Sequence, residues 1–127
     1  MAGVSKGAAG EVLAARFLRE KGYTILTAHY RTRQGEVDII ACDQTYILFV
    51  EVKTREEGAL YAPREAVTAA KQRRIVAAAL RYLQESSTPL QPRFDVIEIV
   101  TRKHRPMEVL ELDFLQGAYE VEGYASF

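Results

Sequence analysis

A chain of 127 residues, 48% hydrophobic and 27% charged, can bury one core and contains no spacer-like stretch between two. No apolar run reaches the roughly eighteen residues of a membrane span, and the opening "MAGVSKGAAGEVLAAR" lacks the apolar centre of a secretory signal, so a cytoplasmic protein with no membrane partner is expected. The lone Cys42 excludes an internal disulfide, and two scattered histidines, His29 and His104, read as surface residues and exclude a zinc-type cluster, which leaves oxygen ligands for any metal.

In chain order, Ser5 to Lys21 has helical periodicity, with Leu13, Ala14, Phe17 and Leu18 on one face and Gly22 as the stop. Glu11 projects beside Leu18 at the edge of that face, as a solvated residue or as an acid leaning into whatever the helix covers. Three strand-like runs follow, Tyr23 to Arg31, Glu36 to Cys42 and Tyr46 to Thr54, punctuated at Gln34-Gly35 and Asp43-Gln44-Thr45. A long helix starts between Pro63 and Thr68, a candidate N-cap, and runs to about Glu85, with Val67, Ile75, Ala78 and Tyr82 as its stripe and Lys71 on that same stripe. Arg93 to Thr101 is a further strand, joined by the helix in a crossover that implies parallel pairing, and Met107 to Leu112 is an edge strand. The expected fold is α/β, in the order α-β-β-β-α-β-β, with a mixed central sheet flanked by helices. It forms one domain over residues 1–112, followed by an acidic tail or short helix over 113–127.

Net charge is zero but unevenly distributed. All 17 Lys and Arg precede Pro106, whereas Glu108, Glu111, Asp113, Glu120 and Glu122 follow it, so residues 1–105 carry 12 acids and about +5. An imbalance of this size suits a nucleic-acid binder and is equally common on ordinary surfaces.

The unusual stretch is "GEVDIIACDQTYILFVEVKTR", Gly35 to Arg55, which sets Asp38, Glu51 and Lys53 inside apolar runs. If Gln44 and Thr45 are a two-residue loop, paired positions sum to 89, so Asp38 faces Glu51 and Glu36 faces Lys53. Side chains alternate with period two, which puts Asp38, Glu51 and Lys53 on one face unless a bulge intervenes. Opposed carboxylates repel, and one is expected to hold a proton. A hard cation, Mg²⁺ or Mn²⁺, relieves the conflict, with the Val52 carbonyl as a third ligand and the Lys53 ammonium near the attacking water or the phosphate. Charged residues on a solvated hairpin face are the ordinary alternative; Ile39, Ile40, Ile47, Leu48, Phe49 and Val50 leave neither face looking solvated.

Asp38 followed by Glu51-Val52-Lys53, in this element order, resembles the PD-(D/E)XK nuclease superfamily. The segments "GEVLAARFL", "YRTRQGEVDIIA", "LFVEVKTR" and "EAVTAAKQRRIVAAALRYL" are similar to the YraN family of bacterial proteins, itself similar to archaeal Holliday-junction resolvases. The match runs from Gly10 to about Val100, with Val37 where the superfamily has proline. The resemblance implies a restriction-endonuclease-like fold and a metal-dependent DNA endonuclease, acting on branched DNA and, by analogy, as a homodimer. It implies that Asp38 and Glu51 hold the metal, that Lys53 assists the water, that Glu11 is a further acid of the site, and that Arg31 and Lys71 contact phosphate. Arg73 and Arg74 join them as candidate DNA contacts on charge. A binding module that cuts weakly or not at all, and a scaffold whose acidic tail docks a partner, are the competing expectations.

Overall fold

The computed structural model describes residues 6–59 and 67–119. Seven elements follow the expected order: helix α1 (Lys6–Glu20), strands β1 (Thr24–Arg31), β2 (Glu36–Cys42) and β3 (Tyr46–Glu56), helix α2 (Ala69–Ser86), and strands β4 (Gln91–Arg102) and β5 (Arg105–Leu115). The expected start at Ser5 and the expected role of Pro63 lie outside the described residues.

Each boundary has a local cause. Gly22 takes φ +96°, and the Tyr23 and Gly22 amides donate to the Leu18 and Arg19 carbonyls, which closes the end of α1 and turns the chain into β1. Asp43 Oδ1 accepts from the Thr45 and Tyr46 amides, so Gln44 and Thr45 form the tight loop that fixes the next hairpin. Thr68 caps α2 by accepting from the Lys71 amide. At the end of β1, Thr32 Oγ1 accepts from the Gln34 and Gly35 amides. That turn is pressed against α2: a Cβ on Gly35 would lie 2.0 Å from the Arg74 carbonyl oxygen, so only glycine fits.

The strands lie in the order β1-β2-β3-β4-β5, antiparallel except for the β3–β4 pair that α2 crosses over to join, and the sheet is therefore mixed. In β3, Leu48 and Val50 join Leu13, Ala14 and Leu18 of α1 in one core, while Ile47 and Phe49 join Ile75, Val76, Ala78 and Ala79 of α2 in the other. The result is a three-layer α/β arrangement with both sheet faces buried under helices, each large apolar side chain so buried contributing about 1.5–3 kcal/mol. β3 is central, which explains why a charge on it is either functional or expensive. β5 runs three residues past Leu112, through Leu115, so Asp113 belongs to the sheet rather than to a tail. Its neighbour there is Glu98 in β4. Residues 120–127 of the expected tail lie outside the described residues.

Candidate functional site

The β2–β3 ladder pairs Ile39 with Val50, Ile40 with Phe49 and Cys42 with Ile47, the register that sums to 89. One step beyond Ile39 and Val50, Asp38 and Glu51 meet at the point where the strands part, and the Asp38 carboxylate, rather than a β2 carbonyl, accepts the Val52 amide at 2.8 Å. Alternation in β2 breaks there: Val37 packs with the α2-side core and Ile39 with the α1-side core, although regular strand geometry would put both on one face. The register expected from sequence therefore holds, while the simple period-two rule fails at Asp38 itself. The expected Glu36–Lys53 pairing lies past the last described rung. Glu36 Oε2 instead sits 3.2 Å from Arg31 Nε, across the first hairpin.

Glu51 is buried and keeps the α2-side parity of Ile47 and Phe49. Burial, then the charge of Glu51, raise the Asp38 carboxyl from its ordinary value to about 7; the Val52 amide opposes this, while Glu11 and a hydrogen bond with Glu51 add to it. Asp38 therefore holds a proton more readily than an ordinary aspartate does. Lys71 reaches down from α2 and places Nζ 2.5 Å from Glu51 Oε1. From the other layer Glu11, whose side chain is 13% exposed, pairs with His29 of β1.

Asp38, Glu51 and Lys71 line a cleft of about 560 Å³ together with Arg31, Arg33 and Arg74, whereas Glu11 and His29 are not among its lining residues. Glu51 is buried and Asp38 half-buried in this lining, whereas Arg31, Arg33 and Arg74 are exposed, as is Glu36, the partner of Arg31. Arg73 is exposed on α2 and is not among the residues that line this cleft. Lys53 has Glu51's parity on β3 and is half-buried; the parallel register seats it beside Glu98 of β4, one residue past the residues that line the cleft. Among the described residues no three His, Cys, Asp or Glu side chains are grouped as a ready metal cage, so the donor set available is the Asp38–Glu51 pair with the backbone of Val52.

Two participants escape a reading of the sequence. His29 is exposed, as expected, yet it pairs with Glu11 and takes φ +52°, a backbone state costly for a residue with a side chain. The first hairpin held the signal: Tyr30 pairs with Val37 and Ala28 with Ile39, which brackets His29 opposite Asp38. The second is Arg33, which the Thr32–Gly35 turn carries to the cleft. Asp95 of β4 has a structural place: it is fully buried and bonded to Arg93 and to the Gly117 amide. Among the described residues no helix is long and apolar enough to cross a membrane.

Comparison with known proteins converges on one family. The family model described as "Uncharacterised protein family UPF0102" matches residues 10–99, the span that contains most of α1, the Asp38 and Glu51 strands, α2 and most of β4. A UPF0102 protein of Syntrophotalea carbinolica is 44% identical over 122 residues, covering 95% of this chain and 96% of that protein. One from Nocardia farcinica is 48% identical over 115 residues, covering 89% and 87%, and one from Rhodococcus opacus is 47% identical over 106 residues, covering 83% and 89%. With matches this long on both sides, the resemblance carried by the segments from Gly10 to about Val100 resolves into membership: the chain belongs to the UPF0102, or YraN, family.

Proposed function

We propose that this chain is a divalent-metal-dependent DNA endonuclease of the PD-(D/E)XK type, with a restriction-endonuclease-like fold. The observation that supports this best is the Asp38–Glu51 pair: two carboxylates brought together at the parting of β2 and β3, one raised to about 7, in a cleft also lined by arginines. Lys71 answers only the Glu51 side of the pair, whereas a hard cation that takes oxygen donors from both carboxylates removes the repulsion. The donors fit Mg²⁺ or Mn²⁺: Asp38 and Glu51 would hold it, the Val52 carbonyl adding a third oxygen. When bound, the ion supplies Lewis acidity toward the phosphodiester.

The chain's own residues then divide the remaining work. Asp38 and Glu51, both deprotonated once positive charge offsets them, orient the scissile phosphate's surroundings. Lys53, on the Glu51 face of β3, lends positive charge where negative charge grows on the phosphate. Glu11, paired with His29, adds negative charge that reaches Asp38 from the α1 side. Arg31, Arg33 and Arg74 fix the backbone of the nucleic acid without reading its bases, so selection falls to DNA shape, branched structures included. A twofold-symmetric branched substrate has two cut sites, which suits a homodimer.

The test is a panel of fluorescent linear, flap and four-way DNAs incubated with Mg²⁺ or Mn²⁺, with Asp38→Ala and Glu51→Ala as controls. Divalent-dependent cutting that either substitution abolishes, with folding intact, is expected. Binding without cutting on every substrate would make the chain a nucleic-acid-binding module instead.

A further inference from the structure

Lys71 and Glu51 belong to different layers and differ sharply in exposure. Glu51's side chain is 8% exposed and Lys71's 45%, yet Nζ and Oε1 lie 2.5 Å apart. The ammonium reaches the carboxylate at the end of a four-carbon stem from a helix whose buried residues are Ile75, Val76, Ala78 and Ala79. Both residues line the same cleft as Arg31 and Arg74. Building on the reading of this cleft as a metal-dependent nuclease site, we infer that Lys71 is the resident counter-cation of Glu51, displaced when a divalent cation binds and turned outward to a substrate phosphate.

A buried carboxylate needs a cation, and here a flexible, half-solvated one supplies it at a single oxygen. The cation that compensates Asp95 is built differently: Arg93 is 15% exposed, donates to both carboxylate oxygens and stacks 4.8 Å from the centre of the Tyr46 ring. An ammonium that is half in water gives up little when it lets go, and the arginine-rimmed mouth is where an anion would meet it. Lys71 and the divalent ion therefore compete for one carboxylate. By reciprocity, whatever Lys71 contributes to Glu51 is subtracted from metal affinity, and metal binding returns that charge to the cleft. Lys71 is thus a positioning residue that couples metal occupancy to DNA binding.

The experiment titrates Mn²⁺ into the metal-free full chain without DNA and follows the free ion by electron paramagnetic resonance, for the wild type, Lys71→Met, Lys71→Gln and Lys71→Arg. The two neutral variants should bind Mn²⁺ roughly three- to tenfold more tightly, and Lys71→Arg should stay within about twofold of the wild type. A simple structural lysine would not raise affinity on removal, and the Gln variant carries the test if the Met variant does not fold. Fluorescence anisotropy with labelled DNA in Ca²⁺ should show the neutral variants binding DNA a few-fold more weakly. Unchanged or weaker Mn²⁺ binding by the neutral variants overturns the displacement and leaves the metal site standing. Absence of Mn²⁺ binding in all four proteins overturns the metal-dependent reading itself. No step depends on observing cleavage.

Discussion

Two aspartates flank the central strand within one residue of each other: Asp95 of β4 is registered with Val50, and Asp38 of β2 stands opposite Glu51. Asp95 is wholly buried and fully answered, accepting from Arg93 through Nε and Nη2 and from the Gly117 amide at 2.8 Å. Arg93 in turn donates to the Tyr23 hydroxyl. Asp38 has the Val52 amide and is otherwise crowded by acids, and burial and Glu51 hold its carboxyl near 7. The same side chain in the same sheet thus marks two different things. Where the chain itself completes the charge, the carboxylate ties β4 to the segment after β5; where it does not, the missing positive charge has to come from a ligand or a mobile cation.

The contrast breaks most visibly on removal of each carboxylate. Asp95→Ala leaves the Arg93 guanidinium largely buried without its partner, and the expected loss is about 3–5 kcal/mol, read as a shift in the urea midpoint. Asp38→Ala, measured without divalent ions, should cost less than about 1 kcal/mol or stabilise, because it removes one member of a repelling pair. Equal losses would mean that Asp38 is as much a part of the scaffold as Asp95.

A pH series sharpens the same difference without touching Asp95. The folded Asp38 carboxyl titrates near 7 instead of its ordinary 3.8, so the folded protein binds that proton more tightly than the unfolded chain does. This contribution to stability is fully present below about pH 4 and is lost as pH rises through 7. In chelator, Asp38→Asn should flatten the decline between pH 4 and 8. Saturating Mg²⁺ should reverse it at the alkaline end, since the ion binds the deprotonated pair. A wild-type profile that Asp38→Asn does not alter would remove Asp38 from that role.

How much of this contrast is written in the sequence depends on how local each cause is. The Asp43–Tyr46 turn, the β2–β3 register and the parallel β3–β4 pair all follow from short spacing rules, and they carry Asp38 to Glu51. Arg93 and Asp95 are two apart in one strand and so share a face, a signal available from spacing that only the burial of both turns into a bond. The Lys71–Glu51 contact is less legible. The helical stripe shows that Lys71 faces the sheet but not which carboxylate it meets, because that depends on how α2 seats over β3. The break in alternation at Asp38 comes where β2 and β3 part, a tertiary event with no residue-type signature, and the positive φ of His29 lies opposite it in a β1–β2 ladder that continues on both sides. β5 extends to Leu115 because Phe114 packs edge-on against Phe17 and Tyr23, contacts between distant parts of the chain.

The smallest expected effect separates cations used by the fold from cations offered to a substrate. Arg93 is committed to Asp95, whereas Arg74 lines the cleft and its neighbour Arg73 is exposed outside that lining. If DNA runs along the cleft, Arg74 neutralises a phosphate and releases counterions on binding, while Arg73 acts only at a distance through screened charge. Arg74→Ala should then weaken DNA binding a few-fold at about 0.1 M salt and reduce the slope of log K against log salt by roughly 0.9, the loss of one phosphate contact. Arg73→Ala should leave the slope nearly unchanged, although it removes the same formal charge from the same helix. Fluorescence anisotropy over a series of salt concentrations measures both. Equal slope changes for the two variants would show that the basic face of α2 as a whole, rather than the rim above Asp38 and Glu51, carries the nucleic acid, and would leave the carboxylate pair without a substrate held over it.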